Sequence, residues 1–423
     1  MTGIAKPPPL FNPITAPADQ YLTFWEILAG PYGLIAFLPL IPLVRLLARR
    51  DKRAALLSGG FLWMLATVGP TATAIVPAAC TVAGAWILGL GRLVASRRLS
   101  PRGMSALVWL GLSAMLFPLW WYPQWTWYGW NVPSRMAVLH NLGFAYFYLR
   151  LIAWGCDRAR RPDEPVRPWE TLCWLMYPPC MRLGPVLLRT QFLERFDAWR
   201  PDARPPWKVI AQRCAWFLLG GVLLAVLMKN MPHPIADGDF FSTPERYSTG
   251  KLVRAFYFAP IQVYLLLWIY NELAAALSYW VGLRVDNNFD LLPTAVSVRD
   301  FWRRWHVTVG AWLRNYVYIP LGGNRRHTML NNAAVFGFCA VWHGASWSFV
   351  GWAASQVFAL QVQRGWDRVV ARAGWQEKLR SRWWTIFCWL LTMHYQIATI
   401  VMFVDFDHLG IRLFKELWRR MVG

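Results

Sequence analysis

Apolar runs long enough to cross a bilayer recur down the whole chain, and no other feature restricts its fold as much. About 20 helical residues span ~30 Å of hydrocarbon. Runs of that order lie at Leu22–Leu47, Ala54–Leu90, Met104–Trp121, Ala137–Trp154, Val209–Met228, Leu252–Val281 and Trp383–Val404. Backbone N–H and C=O groups must be satisfied internally in hydrocarbon, so such runs imply helices. The expected fold class is an all-α polytopic membrane protein with roughly ten transmembrane helices, two of them in the Ala54–Leu90 run, plus re-entrant and interfacial helices. Composition agrees, since 56% of the 423 residues are hydrophobic and only 16% charged, too little polar surface to cover one soluble globule. A signal peptide would open on a charged segment, a short apolar stretch and small residues; here a Pro-rich stretch leads into a full-length span from Tyr21, which predicts insertion of the intact chain.

The net charge of +22 does not point to nucleic acid. Arg and Lys sit in short loops between apolar runs, with no nucleic-acid-binding motif, and the positive-inside rule accounts for them. Arg45–Arg53, Arg92–Arg102 and Arg158–Arg167 are therefore expected in the cytoplasm. His233–Glu245, with Asp237, Asp239, Glu245 and no Lys or Arg, is expected outside. This alternation needs an outward N-terminus and a hairpin near Gly69-Pro70. The seven cysteines stand singly, without metal-ligand spacing, and read as buried thiols.

Three segments depart from plain spans. Trp120–Trp130 packs Trp120, Trp121, Tyr122, Trp125, Trp127, Tyr128 and Trp130 together, as an aromatic belt at the outer interface would. Trp169–Leu188 is apolar but interrupted by Pro178, Pro179, Arg182, Gly184 and Pro185, which predicts a re-entrant segment lining a cavity. Arg189–Lys208 is basic and amphipathic, with Phe192, Leu193, Phe196 and Trp199 at helical spacing, and is expected on the cytoplasmic membrane face. With no internal repeat, one membrane domain over 1–423 is the simplest organisation, its chemically informative core at about 169–360.

That core holds the candidate chemistry. Ser297 with Asp300 three residues on forms a capping-box pattern, so a helix should begin near Val298 and run to the Pro320, Gly322-Gly323-Asn324 break. Arg303 and His306, three apart, would share a face of it. A second apolar helix from Met329 reaches Val341-Trp342-His343-Gly344-Ala345, placing a histidine within an apolar span. Ionisable groups there are costly and mark either function or a satisfied packing site, and position alone leaves His343 evenly between the two. Gly344 and Ala345 would let a substrate come close to the imidazole. His140, His233, His327, His394 and His408 read as structural, with His394 in a span the one to revisit.

Phe301-Trp302-Arg303-Arg304-Trp305-His306, Trp312-Leu313-Arg314, Tyr318-Ile319-Pro320-Leu321-Gly322-Gly323-Asn324-Arg325 and Val341-Trp342-His343-Gly344-Ala345 together resemble the signature of membrane-bound O-acyltransferases. The bacterial branch with the alginate O-acetylation and teichoic-acid D-alanylation membrane subunits is the most similar. Tyr177-Pro178-Pro179, Gly184-Pro185 and Asn288-Phe289 are similar to further family elements. The resemblance implies acyl transfer from a thioester, of CoA or an acyl carrier protein, to a hydroxyl of a glycan, lipid or partner protein. It implies no tightly bound cofactor, a location in the bacterial cytoplasmic membrane, and an acyl-relay partner outside it. It makes His343 the active-site base and His306 its support, with Arg303, Arg304, Trp305, Trp342, Asn324 and Arg325 as binding candidates. A neutral imidazole in a low-dielectric pocket suits the role, since it can take the proton of an attacking hydroxyl. The sequence departs from the pattern at Leu266–Leu273, where relatives carry a more polar segment, and at Val404-Asp405-Phe406-Asp407. A catalytically silent scaffold that keeps the fold is the competing reading, and retention of both histidines weighs against it. A transporter would show paired broken segments, and only Trp169–Leu188 is broken.

Overall fold

The computed structural model describes residues 33–125, 144–181, 183–230, 243–343, 347–404 and 411–422. These residues form helices and turns, with no strand among them. Four helices are long and apolar enough to cross a membrane: Thr73–Ala95, Trp207–Leu227, Thr249–Val281 and Arg382–Met402. The described residues thus supply four spans where the sequence suggested about ten. The N-terminal stretch, Trp127–Trp130, His140, His233, Phe241, Gly344–Ser346, Asp405 and His408 lie outside the described residues.

The chain divides into two compact units, one of residues 22–219 with 269–287, the other of residues 220–268 with 288–423 and the first 21. The first contains α1 (Leu40–Ala48), α2 (Lys52–Ala95), α3 (Pro101–Trp125), α4 (Phe144–Arg160), α5 (Pro168–Leu175) and α6 (Arg189–Ala198). The second contains α9 (Val298–Arg304), α10 (Val307–Leu313), α11 (Thr328–His343), α12 (Trp347–Ala373), α13 (Arg382–Val404) and α14 (Ile411–Val422). α7 (Trp207–Asn230) and α8 (Thr249–Val281) contribute residues to both.

In the first unit α2 corrects the sequence reading. It is one helix of 44 residues through Gly69-Pro70, capped by Asp51 Oδ1, which accepts from Arg53 N at 2.8 Å. Gly and Pro do not force a turn inside an apolar run, where no water would solvate the freed backbone, and Thr67 turns its hydroxyl back to Trp63 O at 2.9 Å. The basic loops at the two ends of α2 therefore flank a single helix, which removes the parity that put both in the cytoplasm. Nor is Trp120–Trp125 a loop, being the last turns of α3.

The chain is broken after Pro168 as expected: α5 stops at Leu175, a short 3-10 turn covers Pro178–Cys180, and irregular, mostly buried chain covers Leu183–Leu188. Several of its carbonyls accept from protein donors. Arg150, fully buried on α4, donates to Trp174 O at 2.9 Å and Leu175 O at 3.1 Å, so a cation sits on the negative end of α5. Trp174 Nε1 donates to Leu187 O at 2.7 Å, and Asn271 Nδ2 to Leu183 O at 3.2 Å. Of the polar residues Tyr270, Asn271 and Glu272 in the Leu266–Leu273 stretch, Asn271 and Glu272 are thus structural; Glu272 pairs with Arg213 at 2.9 Å.

α6 carries a second correction. Its stripe Phe192, Leu193 and Phe196, with Trp199 just beyond the helix, is buried against the protein, the Phe192 ring lying tilted to Tyr177 at 6.1 Å. Periodicity reveals an apolar stripe but not what covers it. Arg45 is likewise no solvated loop charge, for it donates to Pro201 O at 2.7 Å, Ala203 O at 2.6 Å and Trp280 O at 2.9 Å. Of the cysteines, five are buried as expected and Cys214 and Cys388 are half-buried.

Candidate active site

Both candidate histidines belong to the second unit. α9 begins at Val298 as the capping pattern predicts, with Ser297 Oγ accepting from Asp300 N at 3.1 Å. The return arm is shifted by one residue, Asp300 Oδ2 accepting from Val296 N at 3.2 Å. The helix does not continue to Pro320. It ends at Arg304, and His306 turns into the left-handed region at φ 43° to start α10. Arg303 and His306 therefore do not share a helix face: Arg303 is exposed while His306 is half-buried. A π-helical turn, Arg314–Tyr318, follows α10.

Asn288 holds the His306 turn. Its backbone carbonyl accepts from Val307 N at 2.9 Å, its Oδ1 accepts from Thr308 N at 3.1 Å and Thr308 Oγ1 at 2.8 Å, and its Nδ2 lies 3.0 Å from His306 Nδ1. Rings enclose the imidazole, with Phe289 at 5.1 Å and Trp305 at 5.7 Å between centroids. Trp305 in turn packs on Phe301 at 5.8 Å, and Phe301 on Trp302 at 5.3 Å.

His343 ends α11. Its ring lies 4.6 Å from Trp342, 5.7 Å from Phe349 and 6.3 Å from Trp352. Trp352 also meets Trp302 at 5.8 Å, so one aromatic wall runs from His343 through Trp352, Trp302, Phe301 and Trp305 to His306. The wall is fixed by a buried polar network that sequence reading missed. Trp302 Nε1 donates to Gln356 Oε1 at 3.0 Å, and Gln356 Nε2 to Thr399 Oγ1 at 2.9 Å. The legible signal was glutamine inside apolar helices, where an amide must find partners.

The other candidates divide. Trp342 lies on His343, and Trp305 on His306. Arg304 serves the turn, pairing with Asp300 at 3.0 Å and donating to Asp290 O at 3.2 Å. Arg303, Asn324 and Arg325 are exposed and, among the described residues, bond neither histidine; Asn324 accepts from Tyr318 OH at 2.8 Å. Gly322 and Gly323 adopt φ 106° and 58° in the turn below them, and Asn331 Nδ2 donates to Gly323 O at 2.8 Å. His394 packs against Phe256 at 5.9 Å and meets Tyr257 OH at 3.2 Å.

His306 lies outside the four spanning helices, and burial pulls its imidazole down from 6.5 to about 4. The unfolded chain takes up this proton below about 6.5, the folded chain only near about 4, so stability falls as pH drops through that window. A fluorescence-detected melting midpoint in detergent is expected to decline across it, and His306→Gln to flatten that decline. An identical curve for the variant would show that His306 does not titrate on unfolding.

A helical membrane protein whose unit carries two histidines joined by an aromatic wall defines the class. A sequence model of the MBOAT, membrane-bound O-acyltransferase family, matches residues 103–404. The chain belongs to the membrane-bound O-acyltransferase family. It is 35% identical over 232 residues to a probable alginate O-acetylase of Pseudomonas aeruginosa, covering 54% of this chain and 43% of that protein. It is 32% identical over 220 residues to a peptidoglycan O-acetyltransferase of Helicobacter pylori, covering 51% and 40%. A probable alginate O-acetylase of Azotobacter vinelandii is 27% identical over 231 residues, covering 54% and 45%. The chain thus spans less than half the length of these curated relatives.

Proposed function

We propose that this chain transfers an acetyl or similarly small acyl group from a cytoplasmic thioester, of CoA or a carrier protein, to a hydroxyl of a cell-envelope glycan at the bacterial cytoplasmic membrane. The observation that carries this reading is the aromatic wall that sets His343 and His306 in one unit of a chain belonging to this family. Relatives named for O-acetylation of alginate and peptidoglycan favour a polysaccharide acceptor. An acyl-relay partner on the outer side would complete delivery.

The imidazole of His343 takes the proton of the acceptor hydroxyl as its oxygen attacks the thioester carbonyl. The tetrahedral intermediate then collapses with cleavage of the C–S bond, and the departing thiolate takes the proton back from the imidazolium. Arg304 and Trp305 hold the His306 turn, Trp342 shapes the wall beside His343, and the exposed Arg303 and Arg325 beside Asn324 meet donor phosphates. The test is incubation of the purified full chain in lipid vesicles with labelled acetyl-CoA and soluble envelope glycan. Ester-linked label on the glycan with stoichiometric free thiol is expected. Folded protein that moves no label from acetyl-CoA or acetylated carrier protein would leave only the silent scaffold.

A further inference from the structure

The contacts of Asn288 decide which protonation form of His306 the fold accepts. Thr308 N is a backbone donor and cannot accept, so the amide atom 3.1 Å from it must be the oxygen. Thr308 Oγ1, 2.8 Å from the same oxygen, agrees. The Nδ2 group therefore faces His306 Nδ1 at 3.0 Å, and because an amide NH2 only donates, Nδ1 must accept. A neutral imidazole with an accepting Nδ1 carries its proton on Nε2. The opposite tautomer and the imidazolium would each set N–H against N–H.

The surroundings point the same way. A histidine meant to gather a proton is usually held through Nδ1–H by a carboxylate or carbonyl. Here the partner is a neutral amide, 2% exposed, and the flanking groups are the Phe289 and Trp305 rings. The neighbouring charges are engaged elsewhere, Arg304 with Asp300 and Asp290 O.

We propose that Asn288 is a positioning residue that holds His306 as the neutral Nε2–H tautomer, making His306 a hydrogen-bond donor in the reaction and not a second base. Resting on the acyl transfer proposed above, its Nε2–H stabilises the oxyanion that forms on the thioester carbonyl oxygen, while His343 alone takes the hydroxyl proton. His306 keeps its proton throughout, so no charge needs to move through it.

A purely structural role for Asn288 makes a different prediction. Its Oδ1 supplies the cap to α10 that the left-handed His306 does not. An aspartate would cap equally well, but its second oxygen would accept from Nδ1–H and so reverse the ring. The test uses the full chain in detergent with nitrogen-15 histidine, the His306 signals being assigned by their loss in His306→Gln. Wild type is expected to show unprotonated Nδ1 and protonated Nε2. Asn288→Asp is expected to protonate Nδ1, and Thr308→Val, which keeps the backbone donor, to change neither. Transfer by His306→Gln, which can donate but not take a proton, is expected within about tenfold of wild type, against a loss of about 10²–10³-fold in His306→Ala. A protonated Nδ1 in wild type overturns the tautomer, an unchanged ring in Asn288→Asp overturns its control by Asn288, and equal loss in folded His306→Gln and His306→Ala overturns the donor role. The spectra need no turnover, so they stand or fall separately from acyl transfer itself.

Discussion

His343→Ala is expected to lower acyl transfer by about 10²–10⁴-fold while the protein still folds and inserts. The loss should fall on the chemical step, because the imidazole is the group placed to take the hydroxyl proton and its neighbours Trp342, Phe349 and Trp352 are rings without a basic atom. Folding should change little, because His343 is half-buried at the last residue of α11 and the core beside it, Phe336, Cys339, Ala340, Phe349 and Trp352, does not depend on it for closure. His343→Gln should be equally impaired, since it fills the space without basicity. Labelled acetyl transfer, read beside the elution profile and melting midpoint, separates the two effects. Wild-type transfer by folded His343→Ala would falsify the assignment of the base.

What was legible in the sequence is what local physics decides. The start of α9 at Val298 follows from Ser297 and Asp300 within one turn. The break near Pro178 follows from the prolines themselves. The turn at His306 was not legible, because its cap comes from Asn288, 18 residues earlier. Nothing in the spacing of Arg303 and His306 reveals that their helix is interrupted between them. The stripe on α6 was visible, yet protein and not lipid covers it. Arg45 and Arg150 show the same limit: in sequence they are basic residues within apolar runs, in the fold they are donors to carbonyls left open at helix ends and turns. α14 escaped because it follows the last apolar run, although Leu413 packs with Leu252 and Phe256 in a core of its own.

Gly184→Ala is expected to be the most destabilising single-methyl change in the first unit. A Cβ there would overlap the Pro179 carbonyl oxygen and lie 2.9 Å from Pro179 C and 3.1 Å from Cys180 Cα, all backbone atoms. Backbone cannot rotate aside as a side chain would. The segment is also tied on both flanks, at Leu183 O by Asn271 and at Leu187 O by Trp174, so relief of the clash breaks a buried hydrogen bond. Overpacking usually costs ~1–3 kcal/mol, and this site should reach or pass the top of that range, enough to deplete folded protein in the membrane. Gly365→Ala on α12 is the matched control, for a Cβ there meets nothing within 4 Å and the helix should gain up to about 1 kcal/mol. Fluorescence-detected elution of tagged variants compares the two in the same membranes. If Gly184→Ala elutes and melts like Gly365→Ala, the broken segment does not make the close return past Pro179, and its carbonyls must be satisfied some other way.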